Sequence, residues 1–373
     1  TISQGDTRES GLDRIRDDGG AIYAAVPRMP WPGQAAVNVS VVHLHRGQWH
    51  GLHRLDGAEA SKISTSLDAG GLDGEPKSLA ENKGKSFIGS FVNGIGFVLS
   101  PEKAQALIEK DPSNANVLFP YLNGKDLNTS PDQSPIRWVI NFFNWPLEKA
   151  EQYPDCMAIV REKVYPARMK VRREAHKKYW WHYGDKRPAL YRTIANNHRV
   201  LVIARVSRTA AFVFVPKGWV YSEQIVVFET SEFQRFALQQ CSIHEIWARL
   251  FSSSMRTDLR YTPSDCFETY PFPTFEVAAQ RESLETIGRD YHEHRRQLTL
   301  VDNEGLTAIY NHFHDPDCTG EGIQKLRDLH IQMDIAVRDA YGWDDLDLEH
   351  GWSKTLHTQE KKDRRTGKVH TVE

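Results

Sequence analysis

The sequence predicts a mixed α/β (α+β) fold, on three observations. Runs rich in Val and Ala follow a helical spacing near the start, and residues 57–86 turn abruptly to Gly, Ser, Asp and Lys. Residues 323–341 then repeat apolar side chains at the period of a helix. With 373 residues the chain is long enough for about two or three cores.

Each element follows from its own pattern. In LDRIRDDGG, Leu12, Ile15 and Arg16 have helical spacing and Gly19 is the stop. AIYAAV (21–26) and AAVNVSVVHLH (35–45), divided by the Pro-Gly turn in MPWPGQ, read as two buried strands at the closing edge of an α/β sheet. The composition shift at 57–86 marks a linker, and a second unit is expected to start near Phe87. There SFIGSFVNGIGFVLS reads as a Gly-interrupted hairpin, SPEKAQALIEKDP as a helix capped by Ser100, and IRWVINFF as a strand. Residues 153–178 contain no Gly, and after Pro154 only Pro166 interrupts them, which predicts one long or kinked helix. Strands are expected at 199–207, 210–216 and 224–228, and helices at 233–251, 277–298 and 323–341, the last ended by Gly342. The tail beyond Trp352 is poor in apolar residues and is expected to be disordered.

Composition excludes several classes. Cys156, Cys241, Cys266 and Cys318 form no CxxC pair, which argues against a zinc ribbon or a disulfide framework and fits a reducing cytoplasm. No run approaches the roughly 18 apolar residues of a membrane span, and the polar start is unlike a signal peptide. The net charge of -2 neither requires nor forbids a nucleic-acid partner, so local charge decides. The chain opens without Met on what reads as mid-domain sequence, and is expected to be a fragment.

Two stretches could carry binding chemistry. Residues 161–192 hold eleven cations against Glu162, Glu174 and Asp185, an excess of 11 minus 3, or +8. Arg161, Lys163, Arg168, Lys170, Arg172, Arg173, Lys177, Lys178, Lys186, Arg187 and Arg192 are interleaved with Tyr165, Tyr179, Trp180, Trp181, Tyr183 and Tyr191. Cations for phosphates and rings for stacking is the pairing of nucleic-acid proteins; the other reading is a solvated helix face. Downstream, Arg205, Ser207, Arg208 and Thr209 are expected at a tight turn between two apolar strands. A ribbon tip of this kind suits a major groove, where Arg donates two bonds to guanine; the other reading is a turn facing water.

Three weaker motifs are set aside. Gly94-Ile-Gly96 lacks the third Gly and the acidic partner of a dinucleotide loop. His312, His314, Asp315, Asp317 and Cys318 offer ligand chemistry but read better as capping and surface residues. Asp73 with Glu75-Pro76-Lys77 faintly suggests a nuclease centre on a loop too pliant to hold one.

TISQGDTRESGLDRI followed by AIYAAVPRMPWPGQAAVNVSVVHL resembles the last catalytic-domain motifs of the large adenine-specific DNA methyltransferases of type IIG restriction-modification and related phage-defence systems. SFIGSFVNGIGFVLSPEKAQALI, FPYLNGKDLN, KRPALYRTIA and the strand from Ser222-Glu223 to Phe228 resemble that family's target-recognition domain. LTAIYNHFHDP and LRDLHIQMDIAVRDAYGWDDL resemble its ending. The resemblance implies the edge of a Rossmann-like methyltransferase sheet (1–56), an α+β target-recognition domain (57–275), a helical C-terminal section (276–350) and the tail (351–373). It also implies a parent enzyme that moves a methyl group from S-adenosylmethionine to adenine N6 in double-stranded DNA, with the base flipped out.

The family's catalytic (Asn/Asp/Ser)-Pro-Pro-(Tyr/Phe) motif has no counterpart, since the chain has no Pro-Pro dipeptide. No catalytic, cofactor-binding or metal residue is therefore assigned; those segments are expected upstream or on a separate subunit, and the chain alone is expected to be inactive. The residues expected at DNA are Asn123, Lys125, Arg168, Lys170, Arg172, Arg173, Lys177, Lys178, Trp180, Trp181, Lys186, Arg187, Arg192, Arg205, Ser207 and Arg208. Two rival classes stay open: a module that binds RNA or a protein, and a metal-dependent nuclease.

Overall fold

The computed structural model describes residues 2–3, 5–32, 37–69, 76–255, 258–275 and 277–351, and in the tail 359–362 and 369–372. At the start, α1 (Gly5–Arg8), one wider turn (Glu9–Asp13) and α2 (Arg14–Asp17) form a continuous helical stretch. Gly19, at φ +87°, then reverses the chain into β1 (Ala21–Pro30). With β2 (Asn38–His45), β3 (His53–Leu55) and β4 (Ala58–Ala60) it forms a sheet of order β2-β1-β3-β4, in which β1 and β3 are parallel. Its core is Leu12, Ile22, Ala25, Ile63 and Leu67. The packed unit thus reaches Leu67, past residue 56 where composition placed its end. β2 has no fully buried residue, so the expected second buried strand is only half-buried, with Val42 packed against this core.

The second unit begins with β5 (Ser86–Ile88), β6 (Val98–Leu99), α3 (Pro101–Lys110), β7 (Leu118–Leu122), α4 (Gly124–Thr129) and β8 (Trp138–Ile140). Helices α5 (Leu147–Ala150), α6 (Pro154–Lys163), α7 (Tyr165–Arg168), α8 (Glu174–Lys178) and α9 (Pro188–Thr193) follow. Next come β9 (Arg199–Ala204), β10 (Val206–Ser207), β11 (Val213–Pro216), β12 (Val220–Tyr221) and β13 (Ile225–Phe228). The chain continues through α10 (Phe233–Gln240), α11 (Ser242–Phe251), β14 (Ser253–Met255), β15 (Asp258–Arg260), α12 (Ala278–Val301), α13 (Leu306–Phe313) and α14 (Glu321–Ala340). In the tail, β16 (Gln359–Lys362) pairs with β17 (Val369–Val372); the expectation of disorder between and around them falls outside the described residues.

Strand periodicity organises this unit. In the sheet β11-β9-β13-β5, Leu201, Ile203, Val226 and Phe228 enter one core, while Val200, Val202, Ile225 and Val227 enter the other. Successive side chains point to opposite faces, so a continuous apolar run is what a sheet covered on both sides requires. The first face packs on α10, α12 and α14, and the helical section therefore shares one core with the sheet. A second sheet, β12-β7-β8-β6, forms its own core with α6 and Trp180, Trp181 and Tyr183.

Three sequence expectations are corrected. β5 pairs with β13 and β6 with β8, so residues 86–100 form no hairpin. The stretch 153–178 is three short helices: Pro166 sits in the first turn of α7, and residues 171–173 leave the helical path. Residues 233–251 form two helices, because Cys241 is extended and its sulfur accepts from the His244 N–H to start α11.

Burial has a consequence for acid stability. His244 is fully buried with Nε2 against the Tyr261 hydroxyl at 2.9 Å, and burial pulls its pKa down to about 3. The unfolded imidazole takes up a proton near pH 6.5 and the folded one does not, so this stability is full above pH 6.5 and is lost as the pH falls toward 3. A urea-midpoint series should show a loss of about 1.4 kcal/mol per pH unit from this group. A profile flat from pH 6.5 to 4 would contradict the neutral buried ring.

Candidate nucleic-acid interface

Strand register builds one groove from residues remote in sequence. β9 runs into Arg205, whose N–H donates to the Gln224 carbonyl at 2.7 Å and whose carbonyl accepts from Tyr261 N–H at 2.8 Å. β10 then leaves β9 and pairs with β15, setting Val206 opposite Arg260 and Ser207 opposite Leu259. The expected tight turn is thus a wide connection, and Ser207 lies on a separate ribbon, β10-β15-β14, with Arg205 and Arg208 flanking its first strand.

The facing wall is α4. Asn123, itself buried, caps that helix by accepting from the Lys125 and Asp126 N–H groups at 2.9 and 3.1 Å, and donates to the Asp126 carboxylate at 2.7 Å. A groove of about 600 Å³ opens between the walls, lined by Lys125, Asn128, Arg205, Glu223, Gln224 and Arg260 among others, with Thr307 of α13 at its edge. Asn128 Nδ2 bridges the walls to Ser207 Oγ at 3.4 Å. Gly305 lets α13 in: a Cβ there would lie 2.5 Å from the Thr129 backbone.

The electrostatics are cationic with one exception. Burial, then Arg260 and Arg187, pull the Arg205 pKa below its ordinary value, and Glu223 opposes them. Arginine stays charged regardless, so Arg205 is a half-buried cation crowded by two others. The Glu223 carboxylate has no ion-pair or hydrogen-bond partner among the described residues. A negative ligand would satisfy the cations and be repelled by Glu223, which favours a ligand that also carries hydrogen-bond donors.

The expected residues divide accordingly. Lys125, Arg205 and Ser207 meet at the groove, and Arg187 is close enough to perturb Arg205. Arg208 is exposed beside the same ribbon, its carbonyl held by Arg249 at 2.8 Å. Lys170, Arg172, Arg173, Lys178 and Arg192 are exposed elsewhere, and Lys177 is tied to Glu174 at 2.6 Å. Lys186 is half-buried with Nζ 3.3 Å from His182 Nδ1. Four are corrected. Asn123 is consumed as a helix cap. Arg168 is interior, donating to the Val92 and His182 carbonyls at 3.3 and 3.1 Å. Trp180 and Trp181 are buried in the second core, Trp181 Nε1 donating to the Trp145 carbonyl at 2.9 Å. Their alternation with cations reflects short helices packing on a sheet, and the exposed rings of that run are Tyr165 and Tyr179 instead.

Sequence reasoning missed Asn128, Gln224, Arg260 and Thr307 as site residues, and took Glu223 only as part of a strand block. Their one shared signal is pairing across strands and a helix crossing, which no linear spacing carries.

The set-aside motifs have structural accounts. Gly94 and Gly96 form no cradle for a nucleoside, since a Cβ at Gly96 would meet Lys163 Cβ at 2.5 Å, so α6 already fills that space. These residues do not fit S-adenosylmethionine. Around His312, the Arg327 guanidinium donates to the carbonyls of His312, Phe313, Asp315 and Cys318, so this segment is a stapled turn. Among the described residues no group of three His, Cys, Asp or Glu side chains could hold a metal ion, and no helix is long and apolar enough to cross a membrane. Asp73 and Glu75 lie outside the described residues.

Residues 78–274 match the model of a family described as MmeI, target recognition domain. Among solved structures, the type IIL restriction-modification enzyme MmeI in complex with DNA superposes with TM-score 0.74 at 17% identity over 92% of this chain. The chain spans 46% of that protein's length. The type IIG restriction endonuclease BpuSI aligns at TM-score 0.31 and 14% identity, over 72% of this chain and 30% of that one. No curated protein sequence matches the chain.

Proposed function

The chain belongs to the MmeI target-recognition-domain family, and from this premise we propose that its groove reads a short sequence in double-stranded DNA. One observation carries the reading: Lys125, Arg205 and Arg260 converge on a groove whose remaining polar lining is Asn128, Thr129, Glu223, Gln224 and Thr307. Cations neutralise phosphates, and Arg can also donate two bonds to guanine. An unpaired carboxylate would be repelled by phosphate but can accept from the cytosine exocyclic amine, so Glu223 belongs at a base edge. The exposed Arg172, Arg173 and Lys178 then serve the backbone.

We propose further that the parent protein is an adenine-N6 DNA methyltransferase using S-adenosylmethionine, in a restriction-modification or phage-defence system. This rests on the ordered sequence blocks, and places neither methyl donor nor catalytic residue on the chain described here. The recognition reading is tested by binding across a salt series. Lys125→Ala should weaken preferred and random duplexes alike and reduce the slope of log K against log salt by about one. An unchanged slope, or tighter binding to RNA than to duplex DNA, would remove the groove from this role.

A further inference from the structure

We propose that Arg295, on a helix that contributes no side chain to the groove lining, is a positioning residue that holds the reading ribbon in register with the helix at the groove's edge. The inference rests on the recognition reading above. Arg295 lies on α12 and is 1% exposed. Its Nη2 donates to the Phe212 carbonyl, while Nη1 donates to Gln240 Oε1 at 3.0 Å and to the Tyr310 hydroxyl at 2.7 Å. Gln240 completes the grip: its Oε1 accepts from the Phe212 N–H and its Nε2 donates to the Ala210 carbonyl, both at 2.9 Å.

These partners join one wall to the edge of the groove. Residues 210–212 continue the connection that carries Arg205, Ser207 and Arg208, and Tyr310 lies one helical turn beyond Thr307 on α13. One guanidinium thus ties the reading ribbon to the helix at the groove's edge. The rings of Phe236, Tyr291 and Tyr310 surround it at 5.5, 5.5 and 5.8 Å.

Stability does not explain this placement. Among the described residues Arg295 pairs with no carboxylate, and its hydrogen-bond acceptors are neutral. Burying a cation without a counter-charge is unfavourable, and apolar replacements of similar volume at buried charged sites are often neutral or stabilising. The rigid fork, with acceptors on the connection after the ribbon, on α10 and on α13, is what an apolar side chain would lack.

The test compares wild type, Arg295→Met and Tyr310→Phe in two measurements. Backbone hydrogen exchange across 205–212 should accelerate about tenfold in both variants while β9 and β13 keep their protection. The affinity ratio between a duplex enriched from a randomised pool and the unselected pool should fall about tenfold, with random-duplex affinity unchanged. Unchanged exchange in a folded variant overturns the proposal, as does an unchanged ratio where the wild type discriminates. Should Arg295→Met fail to fold, Tyr310→Phe decides by the same readouts. A wild type that does not discriminate duplexes refutes the recognition reading instead, and exchange alone then decides the clamp.

Discussion

Arg205→Ala should lower affinity for the preferred duplex by roughly 5- to 150-fold, about 1–3 kcal/mol, and leave random duplexes nearly untouched. The expectation follows from where the side chain is held. Its backbone is pinned on both sides by Gln224 and Tyr261, and Arg260 and Arg187 crowd its guanidinium. A cation kept half-buried among like charges is poised for a ligand that supplies acceptors. Filter binding of both duplexes checks it. Equal losses on the two would make Arg205 a phosphate contact.

Phe228→Ala should cost about 3–5 kcal/mol of stability. The ring is 1% exposed at the end of β13, within 6 Å of Phe212, Tyr261 and Phe267. β13 pairs on one side with β9 and on the other with β5, so a cavity there loosens the strand that orders both neighbours. Tyr261 also fixes the Arg205 carbonyl, so DNA discrimination should fall with stability. A urea titration measures the first effect, and a cost below 1 kcal/mol would mean that the core closes over the vacancy.

Much of the scaffold was legible. The apolar runs at 199–204 and 225–228 read as strands because both faces are buried, and the period of 323–341 read as a helix. Ser100 and Gly342 marked their helix ends through local chemistry. Partner choice was not legible: β5 and β6 look like a hairpin in sequence but join different sheets. Nor did the basic-aromatic run reveal that Arg168, Trp180 and Trp181 turn inward, since short helices bury one face whatever their composition. The groove was half legible. Lys125 and Arg205 stood out by charge and turn chemistry, whereas Arg260 reaches them only through the pairing of Val206 with it.

Photochemical cross-linking tests the central claim most directly. A duplex enriched from a randomised pool, carrying photoreactive bases, is irradiated with the chain, and the adducts are mapped by mass spectrometry. Base-edge contact at the groove predicts adducts on residues 124–129, 205–208, 223–224 and 260, with few on the exposed cations of 170–178. Adducts confined to 170–178 or to the sheet of residues 21–60 would contradict it.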